Sequence, residues 1–176
     1  RSLSSLRARA ASSPFADVRA TVEEELGAPL DRLFAEFEEE PFASASIGQV
    51  HRGKLEDGSL VAIKVQHPGI ARAVESDLAS AAVLEPLTGM ALGKHLGSEA
   101  MFDEMRTRLR EELDYRLEAE RQTFFADLHA GDPTIRVPRV YAERSSAGVL
   151  VSALCDEASF EQVCERPAAE RLRAAE

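Results

Sequence analysis

Apolar residues recur at two different periods along the 176-residue chain, and the change of period marks its parts. Phe15, Val18, Val22 and Leu26 are spaced like one face of a helix, and Gly27 closes the segment. Ser13-Pro14 opens it, a hydroxyl cap followed by proline at the first helical position. A second short helix is predicted from Pro29, with Leu30, Leu33, Phe34 and Phe37 on its apolar side. From Pro41 the pattern shortens to alternation. Gln49 to Leu55 and Leu60 to Gln66 read as strands joined at Glu56-Asp57-Gly58, where Asp-Gly is a strong hairpin signal. The returning strand puts Val61, Ile63 and Val65 on one face and Ala62, Lys64 and Gln66 on the other, and His67-Pro68-Gly69 stops it. Helical spacing resumes over Ile70 to Leu87. A long helix is predicted from Ser98 to Ala130 on Phe102, Met105, Leu109, Leu113 and Leu117. Strands at about Ile135 to Tyr141 and Gly148 to Leu154 follow, and Ser159 to Glu176 starts another helix. The order predicts an α+β fold, a small antiparallel sheet packed against long helices. A helical extension covers residues 1–40, the sheet-bearing lobe 41–157, and the start of a further helical part 158–176.

Composition narrows the class without changing that outline. Hydrophobic residues at 44% and charged residues at 30% describe a soluble globular chain long enough for one real core. A net charge of −10 and a pI near 5.0 exclude the basic surface that nonspecific nucleic-acid binding requires. No apolar run approaches about 18 residues, so no membrane-spanning helix is predicted. The richest window, Ala79 to Gly93, is broken by Glu85 and Pro86. Cys155 and Cys164 make neither a disulfide framework nor a metal site and are expected to be reduced, structural thiols. His51, His67, His95 and His129 lack ligand spacing and are expected at the surface or in turns. Glu23-Glu24-Glu25 and Glu38-Glu39-Glu40 read as solvated faces and ends. Arg1 to Ser13, basic and free of acids, reads as the cut end of a longer protein in preference to a transit peptide.

The candidate chemistry lies in the first hairpin. Its approach, Ala43-Ser44-Ala45-Ser46-Ile47-Gly48, is a run of small residues, followed by Val50 and then by Ala62-x-Lys64 in the returning strand. This is the skeleton of the nucleotide-covering loop of protein kinases, G-x-G-x-x-G-x-V with Ala-x-Lys after it, its first two glycines replaced by alanine. Small side chains let backbone approach phosphates. Val50 would cover one face of an adenine. Ala62 and Lys64 face the same side of the strand, so one can touch the base while the other reaches phosphate. The lysine needs an acid to orient it, and Glu111, Glu112, Asp114 and Glu118 in EELDYRLEAE offer one. A continuous helix would put Glu111, Asp114 and Glu118 on one face. Glu111 by itself reads as a solvated helix residue.

Three stretches, PFASASIGQVH, VAIKVQHPGI and ELDYRLEAE, together resemble the UbiB (AarF-type) family of atypical protein-kinase-like proteins, over about Asp17 to Val151. The resemblance implies a protein-kinase-like N-lobe with an N-terminal helical extension. It implies ATP as cofactor and ATPase or unorthodox kinase activity in support of isoprenoid-quinone (ubiquinone) biosynthesis. It implies as partners the nucleotide and, through parts outside this chain, membrane lipid or quinone-biosynthesis proteins on the cytoplasmic side. It places the nucleotide lysine at Lys64, the Glu-x-Asp motif at Glu112-Leu113-Asp114, and the lysine-orienting glutamate at Glu118. The loop Ala43 to Gly48 would then cover phosphates, and backbone at Ser152 to Leu154 would meet the adenine edge. Ser152, Ala153 and Glu157 depart from the family's usual linker, and its Lys-x-Gly-Gln motif is not in this chain. Nor are its catalytic and metal-binding loops; His129-Ala130-Gly131-Asp132 mimics one of them and reads as a turn. Magnesium would accompany ATP in the full-length protein on ligands outside these residues, so no catalysis is expected of this chain alone. The alternative from another class is a pseudokinase-like scaffold that binds partners without catalysis.

Overall fold

A computed structural model describes residues 12–80, 98–155 and 164. Helix α1 runs Phe15–Leu26 and ends where Gly27 enters the left-handed region at φ 69°, as the sequence predicts. Its start differs. Pro14 is the cap, with no side-chain group to bond the helix, and the Ser13 hydroxyl lies one residue further out and bonds His67 instead. Helix α2 is only Leu30–Leu33, its first N–H received by the Glu23 carboxylate at 2.9 Å. Glu23 and Glu25 are therefore not merely solvated, since Glu25 also accepts the Gly148 N–H at 3.1 Å. The predicted helix over Phe37 is instead strand β1, Glu36–Phe37, paired with Lys54 and Gly53. Pairing there puts the Phe37 ring between Phe15, Phe34 and His51, at centroid distances of 5.8, 5.6 and 5.0 Å.

The hairpin strands β3, Gly48–Lys54, and β4, Leu60–Gln66, follow within about one residue of expectation, whereas Ala43–Ser44, expected as loop, pairs with β3 as the short strand β2. Strand β5, Val149–Ala153, pairs antiparallel with β4, giving the order β1-β3-β4-β5 with β2 beside β3. The predicted strand over Ile135 to Tyr141 reduces to one bridge, Val140 to Ser152, before a 3₁₀ turn at Ala142–Arg144. The Tyr141 and Ala153 N–H groups meet the Val151 and Arg139 carbonyls there, which is too few bonds for a strand.

One face of the sheet is the core. Val61, Ile63, Val65, Val149 and Val151 are fully buried against Val18 and Val22 of α1 and Leu30, Leu33 and Phe34. Residues 70–80 are helical (α3), and the remainder of the predicted helix to Leu87 lies outside the described residues. The predicted helix from Ser98 to Ala130 is two helices, α4 over Ser98–Glu112 and α5 over Tyr115–Leu128. The Leu113 carbonyl accepts from Gln66 Nε2 at 2.7 Å and the Tyr115 N–H donates to the Ala147 carbonyl at 2.9 Å. Backbone groups that would continue the helical ladder are thus spent on the sheet, and Asp114 starts the second helix as its cap. His129 to Gly131 form a turn, as expected. Cys155 and Cys164 are free and exposed, so neither is a packed structural thiol.

Candidate functional site

The face of the sheet opposite α1 carries the sequence-selected residues. Register sets Val50 opposite Lys64, Ala62 opposite Ser152 and Lys64 opposite Leu150, and residues directly opposite share a face. Ala43 joins them through Val50. Ser44 pairs with Gln49 and turns to the other face, where its hydroxyl is buried without a protein partner. The loop closes as a tight turn, the Ala45 N–H donating to the Gly48 carbonyl at 2.7 Å. Among the described residues only glycines have positive φ, so the alanines at 43 and 45 sit in ordinary backbone regions. Gly48 is needed for space. A Cβ there would lie 2.5 Å from the Val65 carbonyl oxygen and 2.6 Å from the Tyr115 hydroxyl.

Lys64 and Glu118, far apart in sequence, meet on this face: Lys64 Nζ donates to Glu118 Oε2 at 2.6 Å. The same ammonium stands 4.5 Å from the centre of the Tyr115 ring, a cation–π contact. Sequence reasoning did not select Tyr115. It is 1% exposed, and burial, then the Glu118 and Glu112 carboxylates, push its phenol well above the usual range, so it stays neutral. Its hydroxyl lacks a protein partner. Its place in the sequence is inside ELDYRLEAE, directly after the capping Asp114. Gln66 was also missed. Its amide ties the α4–α5 junction to the Ala147 carbonyl at 3.1 Å as well as to Leu113.

The other acids separate. Asp114 caps α5 through the Arg116 N–H and holds the Arg116 guanidinium at 2.8 and 2.9 Å, contacts that keep its carboxyl below the usual carboxylate range. It is not brought to Lys64. Glu111 pairs with Arg121 at 2.8 Å, which likewise lowers its pKa. Glu112 lines a cleft of about 620 Å³ with Glu118, Arg121, Gln122, Arg136 and Pro138. Leu154, at the end of β5, donates its N–H to the Leu60 carbonyl at 3.0 Å. Two of the histidines depart from a simple surface role. His51 is fully buried, and His67 is bonded to Ser13 and to the Ala45 carbonyl. Among the described residues no group of three His, Cys, Asp or Glu side chains could hold a metal ion, and no helix is long and apolar enough to cross a membrane.

The arrangement suits an anionic ligand: one partly buried cation fixed by a carboxylate, beside a short loop of small residues, on the face that also carries Val50 and Ala62. The sequence matches the ABC1 atypical kinase-like domain over residues 5–172. It is 42% identical over 129 residues to the rat protein "Atypical kinase COQ8B, mitochondrial", covering 73% of this chain and 24% of that one. It is 34% identical over 154 residues to "Atypical kinase coq-8, mitochondrial" of Caenorhabditis elegans, covering 88% and 20%. A solved structure, the Rv3197–erythromycin complex from Mycobacterium tuberculosis, superposes with a TM-score of 0.77 at 32% identity, over 96% of this chain and 42% of that one. The chain thus spans about a quarter or less of the length of these two curated relatives.

Proposed function

Because the chain belongs to the ABC1 atypical kinase-like family, we propose that residues 41–157 form its nucleotide-binding lobe and that ATP binds on the Lys64 face of the sheet. The observation that carries this is the Lys64–Glu118 pair at 2.6 Å beside the loop Ala43 to Gly48. Lys64 contacts the phosphates, and Glu118 with the Tyr115 ring holds the ammonium in place. The loop from Ala43 through Ser44, Ala45, Ser46 and Ile47 to Gly48 lies over the phosphates and offers backbone N–H groups. Val50 and Ala62 line the base, and backbone from Ser152 to Leu154 meets its edge. Glu112, in the cleft that Glu118 also lines, marks the guarded side of the site, and Asp114 serves it by fixing where α5 begins.

ATP, when bound, supplies the transferable phosphoryl group and most of the negative charge at the site. The chain's residues bind and orient it. An ion pair in which Lys64 and Glu118 side chains keep 26% and 45% of their exposure contributes little to folding, about 0–1 kcal/mol. Its geometry is better accounted for by a ligand than by stability. For the whole protein we propose an atypical kinase or ATPase acting in isoprenoid-quinone biosynthesis near a membrane, as the resemblance to UbiB-type proteins implies.

A thermal-shift titration with Mg-ATP and Mg-ADP tests the site. The chain is expected to gain several degrees at saturating nucleotide, and Lys64→Ala to fold normally yet lose that gain. Equal shifts in both proteins would remove Lys64 from the site, and no shift in either would favour a scaffold that binds other partners.

A further inference from the structure

Behind the loop, a run of side-chain hydrogen bonds joins stretches far apart in the sequence. One half is buried: His51 is fully buried and Gln49 is 1% exposed. His51 Nδ1 lies 2.8 Å from the Glu38 carbonyl oxygen and its Nε2 lies 2.9 Å from Gln49 Nε2. A carbonyl only accepts and an amide nitrogen only donates, so this ring is neutral with its proton on Nδ1. Gln49 Oε1 accepts the Ser13 backbone N–H at 2.7 Å, which fixes the amide's orientation. The other half starts at the same serine. Ser13 Oγ lies 2.9 Å from His67 Nδ1, and His67 Nε2 lies 3.3 Å from the Ala45 carbonyl oxygen. That oxygen only accepts, so His67 Nε2 carries a proton, and the Ser13 hydroxyl, a donor and an acceptor, serves Nδ1. The His67 backbone N–H also donates to the Ile47 carbonyl at 2.9 Å. One residue thus grips the loop on both sides of Ser46, and one serine engages both histidines' networks.

We propose that His67 is a positioning residue of the loop Ala43 to Gly48, with Ser13, at the entry to α1, holding the ring by Nδ1 so that Nε2 reaches the Ala45 carbonyl. The N-terminal extension is thereby coupled to the loop that lies over Lys64. Holding the loop in advance reduces the ordering that a ligand must impose, which is the general basis of preorganised binding. The inference rests on the nucleotide reading only for its effect on affinity; the structural coupling stands apart from it.

Imidazole ¹⁵N shifts and amide hydrogen exchange, both without nucleotide, test the coupling. His67 is expected as the Nε2–H tautomer and His51 as Nδ1–H. Ser13→Ala should release the His67 ring and speed exchange at the Ala45 amide, which closes the loop onto the Gly48 carbonyl, by about three- to ten-fold, the worth of one hydrogen bond. His67→Ala should speed it likewise, whereas His67→Gln, which carries a donor and an acceptor on one amide, should restore slow exchange. Titrations with Mg-ATP and with adenosine then read the consequence. Both alanine variants should weaken Mg-ATP about three- to ten-fold and adenosine less than about two-fold, because the loop covers phosphates and not the base. An Nδ1–H tautomer at His67, or loop exchange unchanged in both alanine variants, overturns the proposal. Expected tautomers and exchange with no Mg-ATP binding by the wild-type chain would keep the coupling and overturn the nucleotide reading instead.

Discussion

At Gly48 the reason for glycine is space. Its φ is not in the left-handed region, yet a methyl would press on the Val65 carbonyl and the Tyr115 hydroxyl from 2.5 and 2.6 Å. Neither can retreat: the carbonyl belongs to a central strand, and the tyrosine is buried. Gly48→Ala is expected to lower unfolding free energy by about 1–3 kcal/mol in urea titrations, and an unchanged midpoint at unchanged slope would contradict this packing. The Lys64–Glu118 pairing was legible because motif spacing and strand alternation marked the lysine, whereas Gly48 was marked by motif spacing alone and not for the space it needs here. Tyr115 and Gln66 were not legible, because their roles come from partners brought in by the fold. His51, expected at the surface or in a turn because it lacks ligand spacing, has the strand parity of β3 that sets it opposite Ile63, on the core face. The Phe37 ring and a complete set of hydrogen bonds make that burial tolerable, and burial lowers its pKa below 6.5, favouring the neutral ring that the network requires.

The elements were legible where local pattern and tertiary pairing agree. The hairpin satisfied both, since alternation, the Asp-Gly turn and the pairing of Gly48–Lys54 with Leu60–Gln66 all coincide. The helix from Ser98 failed because Leu109, Leu113 and Leu117 keep their spacing straight through the break. Nothing in periodicity registers that Gln66 and Ala147 claim backbone groups at Leu113 and Tyr115. That junction sets the angle at which α5 presents Tyr115 and Glu118 to Lys64. Gln66→Leu leaves the Leu113 and Ala147 carbonyls without this donor and is expected to cost about 1–3 kcal/mol. It should also loosen the Lys64–Glu118 pair, read as faster amide exchange in the first turn of α5. Exchange in that turn equal to wild type would contradict the junction's role. Phe37 and the stretch before Tyr141 failed for a related reason: two or three pairing bonds decide them, fewer than a sequence pattern can show.

For the whole molecule, the two faces of one sheet divide the work. Val61, Ile63, Val65, Val149 and Val151 seal one face under α1 and α2, and this fixes the register of every residue on the other. A slip of one residue would bury Lys64 and expose the valines, so the hydrophobic alternation itself holds the lysine in the site. Family membership and the kinase-like fold follow from the matched residues 5–172 and from the superposition at a TM-score of 0.77. The central claim, that nucleotide occupies the Lys64 face, is tested most directly by chemical-shift mapping of the labelled chain with Mg-ATP. Saturable shifts are expected at Val50, Ala62, Lys64 and Ser152 and at the amides of Ala43 to Gly48, with little change at Val61, Ile63 and Val151. Shifts gathered elsewhere, for instance between α1 and the 70–80 helix, or no saturable shift at any concentration, would contradict the account.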